Sequence, residues 1–191
     1  MKFSIDRSKF YKLLTTVNVA IGPKSPTPAF LNFKLEMNDL GLTVLGSDND
    51  LTIKSTLPII ENDKVLISDY ECGSTLISAK YLLEIIRKVT SEEVDFITYE
   101  DNAIKILANK SHFTLNCLQL ESFPAISFAD STLNYTIDAL NLKQLIRKTT
   151  FATSISESRP ILTGVSLVSN EKGVEVVATD SYRLAKKSIK Q

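Results

Sequence analysis

Phe3-Ser4-Ile5-Asp6 opens the chain and returns 132 positions later as Tyr135-Thr136-Ile137-Asp138. The same ungapped shift lays Leu13 on Leu145, Ala20 on Ala152, Pro28 on Pro160, Leu35 on Leu167 and Asn38-Asp39 on Asn170-Glu171. It also lays Gly41 on Gly173, Val44 on Val176 and Asp48 on Asp180. Matches at turn, cap and apolar positions together mark an internal duplication. A weaker echo at a shift of 72 places Asp6, Ser78 and Asp138 where a helix N-cap is wanted, each ahead of the same apolar pattern.

That pattern is helical. Phe10, Leu13, Leu14 and Val17 fall at i, i+3, i+4, i+7, as do Leu82, Ile85, Ile86 and Val89, and again Leu142, Leu145, Ile146 and Thr149. Three helices are expected to bury the same stripe. At 100° per residue, Lys12, Lys80, Arg87, Lys88, Arg147 and Lys148 all project to the opposite face.

Charge follows the helices. The 22 Lys+Arg and 22 Asp+Glu cancel over the whole chain. Segments 7–20, 79–89 and 139–152 nevertheless hold nine basic residues (Arg7, Lys9, Lys12, Lys80, Arg87, Lys88, Lys143, Arg147, Lys148) against one acid, Glu84, a net +8 that leaves −8 elsewhere. Lys and Arg solvate any exposed helix face. One pattern in three copies instead suggests an acidic body with one cationic surface suited to a polyanion.

Segments 31–37, 42–45, 51–56, 65–68, 94–99, 103–108 and 113–118 read as strands, separated by turn signals at Asn38-Asp39, Asp48-Asn49-Asp50 and Glu100-Asp101-Asn102. Helices each followed by several strands predict an α+β fold of repeated β-α-β-β units, helices on one face and antiparallel sheets on the other. Glu121-Ser122-Phe123-Pro124-Ala125 reads as a linker, giving a first domain over 1–128 and an incomplete second over 129–191, with its repeat starting at Thr132. A full second copy would run to about residue 260, so the 191 residues read as a fragment of a longer protein. Met1-Lys2-Phe3-Ser4-Ile5 enters a strand directly, so no targeting peptide and a cytoplasmic protein are expected; no apolar run suits a membrane.

Several function classes are disfavoured. One histidine, no Gly-rich phosphate loop, no Gly-x-Ser-x-Gly elbow and no metal-ligand cluster argue against an enzyme and predict no cofactor and no metal. Ser111-His112 would point to opposite faces of a strand. Cys72 and Cys117 have neither zinc nor disulfide spacing and read as reduced, with Cys117 buried. The alternative is a non-enzymatic, repeat-built interaction domain binding nucleic acid or acidic protein without encirclement. Aromatics that would stack unpaired bases read as missing from the basic faces, which favours duplex over single strands.

Ala178-Thr179-Asp180-Ser181-Tyr182-Arg183-Leu184-Ala185 resembles the Ala-Thr-Asp-x-x-Arg-Leu-Ala stretch of the bacterial replicative sliding clamp, the beta subunit of DNA polymerase III. Met1-Lys2-Phe3, Gly46-Ser47-Asp48, Phe113-Thr114-Leu115 leading to Phe123-Pro124, and Leu162-Thr163-Gly164 are similar to that family in order and spacing. The resemblance covers the whole chain. It implies the DNA-clamp fold, in a ring of two identical three-domain subunits closed head to tail around duplex DNA. It also implies a role as a non-catalytic processivity factor that docks the polymerase III alpha subunit, the clamp loader and other proteins carrying clamp-binding motifs. Phosphate attraction without base readout lets such a ring slide.

Residue by residue, the resemblance puts Leu162, Thr179, Ser181, Tyr182, Arg183 and Leu184 in a partner-peptide pocket. Gly is frequent in the family where Ser181 stands, and His where Tyr182 stands. Asp180, like Asp48 in the first copy, reads as a turn residue that caps backbone amides and pairs with Arg183. Phe113 and Leu115 match the family's dimer interface, and their alternation with Cys117 equally reads as an inward strand face. For DNA, Lys24 matches a basic loop residue and Lys80 and Arg87 match basic helix positions, beside Lys12, Arg147 and Lys148 of the helix faces. In Ser156-Glu157-Ser158-Arg159-Pro160-Ile161, Pro160 and Ile161 replace the family's aromatic contacts and leave Arg159 for a phosphate.

Overall fold

The structure is a computed structural model that describes residues 1–99, 102–128, 136–170 and 173–190. Of the expected features, the turn residues Glu100 and Asp101, the repeat start at Thr132, the strand residue Tyr135 and the turn residue Glu171 lie outside the described residues. Two compact units, 1–127 and 128–191, make up the chain.

In the first unit β1 (Lys2–Asp6) leads into α1 (Arg7–Asn18), then β2 (Asn32–Asn38), β3 (Gly41–Ser47) and β4 (Thr52–Pro58). The short pair β5 (Ile60–Glu61) and β6 (Lys64–Val65) precedes β7 (Ile67–Glu71) and β8 (Gly73–Ser78). Then come α2 (Ala79–Lys88), β9 (Glu93–Tyr99), β10 (Ala103–Ala108) and β11 (Ser111–Leu118). Nine strands form one antiparallel sheet in the order β4-β3-β2-β8-β11-β10-β9-β1-β7. The two halves of the unit exchange their opening strands, since β1 lies beside β9 and β8 beside β2. Neither half therefore completes its sheet alone.

Helices α1 and α2 pack on each other, α1 also against β3 and β4 and α2 against β2 and β8. Phe10, Leu13, Leu14 and Val17 of α1 and Leu82 and Ile86 of α2 enter one apolar core with Phe3, Phe33, Phe96 and Ile106. Phe3 stacks on Phe96 at 4.8 Å between ring centroids and meets Phe10 edge-on at 6.2 Å.

The second unit holds α3 (Ala139–Thr149) and the sheet β12 (Ser166–Asn170), β13 (Gly173–Thr179), β14 (Leu184–Ile189). Strand register repeats with the sequence. Leu42 faces Leu57 and Asn38 faces Gly41 in the first copy; Val174 faces Ile189 and Asn170 faces Gly173 in the second. Gly41 and Gly173 sit at φ +137° and +128°, and a Cβ there would come within 2.1 Å and 2.0 Å of the Leu57 and Ile189 carbonyl oxygens. Only glycine fits that strand crossing.

Two expectations are corrected and one strand was missed. Segment 65–68 is not one strand: β6 ends at Val65, and the Leu66 N–H donates to the Ile59 carbonyl at 2.8 Å while the Leu66 carbonyl accepts from Asp6 N–H at 2.9 Å. Gly73–Ser78, unread from the sequence, is a central strand; the Cys72-Gly73-Ser74 start looks like a turn, and its Gly73 does lie at φ +156°. Asp6 and Asp138 accept from the N–H groups of Lys9 and Asn141, but Ser78 makes no side-chain cap bond, so the three helix starts are not identical.

Candidate functional site

Of the nine basic residues in the helix segments, two are held by the first unit itself. Arg7 donates through Nε to the Ile86 carbonyl at 3.0 Å and through Nη2 to the Arg87 carbonyl at 2.9 Å, closing the end of α2 where carbonyls lack helical partners. Lys9 pairs with Glu61. The others, Lys12, Lys80, Arg87, Lys88, Lys143, Arg147 and Lys148, are exposed, as is Lys24 in the loop after α1. Lys88 stands 3.9 Å from Glu84, an exposed pair of small consequence. Arg87, Lys88, Arg147 and Lys148 occupy last turns, where the helix dipole also favours a cation.

Aromatic rings do lie among these cations, contrary to the expectation from sequence. Lys80 Nζ lies 5.9 Å from the centroid of the exposed Tyr81 ring. Phe151, in the 3-10 turn that continues α3, is exposed and lines a groove of about 560 Å³ with Gln144, Arg147 and Lys148. The signal was available: 144, 147, 148 and 151 repeat the i, i+3, i+4, i+7 spacing on the face away from Leu145.

In the second unit the 179–184 turn is organised by side chains. Asp180 Oδ1 accepts from the N–H groups of Tyr182 at 3.0 Å and Arg183 at 2.9 Å, and Oδ2 accepts from Arg183 Nε at 2.9 Å. The Arg183 and Tyr182 amides, and after them the Arg183 guanidinium, hold the Asp180 carboxyl below its ordinary value, with burial working against them. Thr179 Oγ1 donates to the Arg183 carbonyl at 2.7 Å and accepts from Ser181 N–H at 3.1 Å. Ser181 is thereby held at φ +77°, which L residues seldom adopt.

Its counterpart in the first copy is built alike. Asp48 Oδ1 accepts from Leu51 N–H at 2.7 Å and Asp50 N–H at 3.1 Å, and Asn49 sits at φ +89°. The structural reading of Asp180 thus has a geometric basis in both copies.

Arg159 Nη1 donates to Ser181 Oγ at 3.4 Å, which brings the 156–161 loop to the turn. Ser154 N–H donates to the Leu162 carbonyl at 2.8 Å and closes the loop behind it. Leu162 is half-buried, while Ile161, Tyr182 and Leu184 are exposed.

On β11, Phe113, Leu115 and Cys117 are half-buried and pack against the main core, so the inward strand face is real. Cys117 is thus less buried than expected, though burial still pushes its thiol pKa up. Both cysteines are free. The backbone edge of β11 is open as well: β8 pairs only with Cys117 and Leu118, leaving 111–116 without a strand on that side among the described residues. His112 is exposed. No group of His, Cys, Asp and Glu that could hold a metal occurs among the described residues, and none of their helices is long and apolar enough to cross a membrane.

A duplicated α+β unit, its helices to one side and an antiparallel sheet to the other, is the DNA-clamp fold. Residues 1–127 match the DNA polymerase III beta subunit N-terminal domain and 136–191 its central domain, so the chain belongs to the DNA polymerase III beta subunit family. It is 32% identical over 190 residues to the beta sliding clamp of Bacillus subtilis and 30% identical over 189 residues to that of Halalkalibacterium halodurans. Those matches cover 100% and 99% of this chain, and in each case 50% of the relative. The crystal structure of the Bacillus subtilis DNA polymerase sliding clamp superposes with a TM-score of 0.94 at 32% identity, covering 100% of this chain and 50% of that one. The beta chain of DNA polymerase III from Streptococcus pneumoniae gives 0.92 at 31%, covering 99% and 50%. The chain spans about half the length of these relatives.

Proposed function

We propose that this chain serves in a DNA sliding clamp, a non-catalytic subunit that encircles duplex DNA and tethers the replicative polymerase. The observation that carries the reading is the set of exposed cations on all three helices of a chain with this family's fold. A clamp needs no base readout: diffuse attraction to phosphates, screened by salt, holds the duplex without fixing a register. Tethering raises the polymerase's effective concentration at the primer end, and processivity follows without faster chemistry.

In this reading 1–128 is a first clamp domain and 129–191 part of a second. Lys12, Lys24, Lys80, Arg87, Arg147, Lys148 and Arg159 face the duplex. Leu162, Thr179, Ser181, Tyr182, Arg183 and Leu184 receive an apolar anchor from the polymerase alpha subunit, the clamp loader or other docking proteins. The turn fixed by Asp180 and Thr179, with Tyr182 and Leu184 exposed on it, supports this because residues already ordered spare part of the ordering cost of binding. Phe113 and Leu115 belong to the head-to-tail dimer interface, where the open edge of β11 would accept a strand from the partner subunit. The protein works in the cytoplasm, beside the chromosome.

The test uses the protein at the length its cell makes, loaded by its clamp loader onto circular duplex DNA and washed at high salt. Retention on circles and release on linearisation are expected. Equal loss from circles and lines would mean ordinary electrostatic binding and would leave the fold without the proposed role.

A further inference from the structure

The duplication allows one groove to be read twice. In the second unit Gln144, Arg147, Lys148 and Phe151 line the groove of about 560 Å³. Shifted back by 132, these become Lys12, Thr15, Thr16 and Val19, which with Tyr11 and Ile53 line a groove of about 640 Å³ in the first unit. The first groove stays open although α2 and the full nine-stranded sheet are present, with Val19 72% exposed. Exposure of Phe151, at 62%, is therefore a property of this helix face and does not require a missing cover.

The copies differ in chemistry. At the four matched positions the first offers Lys12, two threonines and a valine, and the second Gln144, two cations and an aromatic ring, with no carboxylate among the second's lining residues. Tyr11, which also lines the first, is half-buried with the Arg7 guanidinium 5.9 Å from its ring centroid. Thr15 and Thr16 also turn their hydroxyls back to the Tyr11 and Lys12 carbonyls, at 2.8 and 2.9 Å, and so offer little to a ligand.

We propose that the Gln144–Phe151 groove binds an unpaired nucleotide of single-stranded DNA, the base stacked on Phe151 and the flanking phosphates between Arg147 and Lys148. The inference rests on the nucleic-acid reading above and adds an unpaired-base site to it. An aromatic face stacks any base and two cations suit a backbone, so the site tolerates any sequence. A paired base within a duplex cannot reach the ring.

The chain contains no tryptophan, so a single introduced indole reports its own surroundings. Phe151→Trp and Val19→Trp are made separately in the full chain and titrated at low salt with oligothymidylate and with duplex DNA. In the Phe151→Trp variant the indole emission should be quenched by the oligothymidylate and more weakly by duplex. In the Val19→Trp variant, whose indole stands beside the duplex-facing Lys12, the oligothymidylate should quench no more than the duplex does. Phe151→Ala should weaken oligothymidylate binding about tenfold and leave duplex binding unchanged. Arg147→Gln with Lys148→Gln should flatten the log–log salt dependence of single-strand binding by about 1.4. Equal quenching by oligothymidylate in the two tryptophan variants, quenching of the Phe151→Trp indole by duplex as strong as by single strand, or an unchanged oligothymidylate affinity in Phe151→Ala would overturn the site while leaving the duplex reading in place. Loss of binding to both DNA forms in the unmutated chain would instead remove the nucleic-acid reading on which the site stands.

Discussion

Residues 7–58 and their counterparts at 139–190 have the same strand register and the same turn, yet bury different amounts of themselves. Leu14 and Leu35 of the first copy are 0% exposed; Ile146 and Leu167 at the same places in the second are 42% and 49% exposed. The backbone geometry is local: glycines that must cross a carbonyl, an Asx turn and an aspartate cap fix each copy without help. Burial is not local. Leu14 is covered because the first unit adds α2 and the sheet strands that belong with it, and the described residues of the second unit contain no such second half. Repeats of this kind carry their own shape but borrow their core.

The comparison breaks most readily at the core. Leu14→Ala should cost about 2–5 kcal/mol in the urea denaturation of the first unit, whereas Ile146→Ala should cost less than about 1 kcal/mol in hydrogen-exchange protection of the second. Equal losses would mean that Ile146 is covered after all. The glycines test the opposite half of the claim, that local geometry is shared. Gly41→Ala and Gly173→Ala should each cost about 2–3 kcal/mol, one in each unit, because a Cβ meets a carbonyl and φ is positive. A harmless Gly173→Ala would show that β13 and β14 cross less closely than β3 and β4.

Smaller effects sharpen the picture at the turn. Ser181→Gly should protect the β13–β14 amides by about 0.5–1 kcal/mol, since glycine relieves a left-handed serine. Asn49→Gly should change protection by less than about 0.5 kcal/mol, because asparagine already tolerates that conformation. The smallest effect is with pH. Asp48 and Asp180 are both held below the ordinary 3.8, chiefly by the Leu51 and the Arg183 amide respectively. A carboxyl depressed on folding stabilises the turn at pH values above its unfolded pKa, and that contribution is lost as pH falls through the folded pKa. The Leu51 and Arg183 amide resonances should therefore titrate together, with midpoints below 3.8. A midpoint no lower than the ordinary carboxyl value in one copy only would separate the two turns.

The repeat, the helices and their apolar stripes were legible because each is a local pattern: a cap, a 3.6-residue period, a glycine at a fixed offset. Strand β8 was not, since its Gly73 start mimics a turn and its pairing with β2 is long-range. The fate of Arg7 was equally invisible, because its partners are carbonyls about eighty residues away at the end of α2. Ile146 reads as core in the sequence and is exposed in the fold, for periodicity states which face an element would bury and not whether anything arrives to cover it. Phe151 was missed for a simpler reason. It lies just past the helix end, two residues beyond Thr149, although it continues the Gln144–Lys148 face.

The central claim, that cations on the helix faces hold duplex DNA without regard to sequence, is tested by measuring affinity against salt for this chain and for a variant with Lys12, Lys80, Arg87, Arg147 and Lys148 all changed to Gln. The account predicts a steep negative log–log slope for the unmutated chain, the same for unrelated duplex sequences, and a slope shallower by up to about 4.5 units in the variant. An unchanged slope in the variant, or affinity that depends on base sequence, would contradict it.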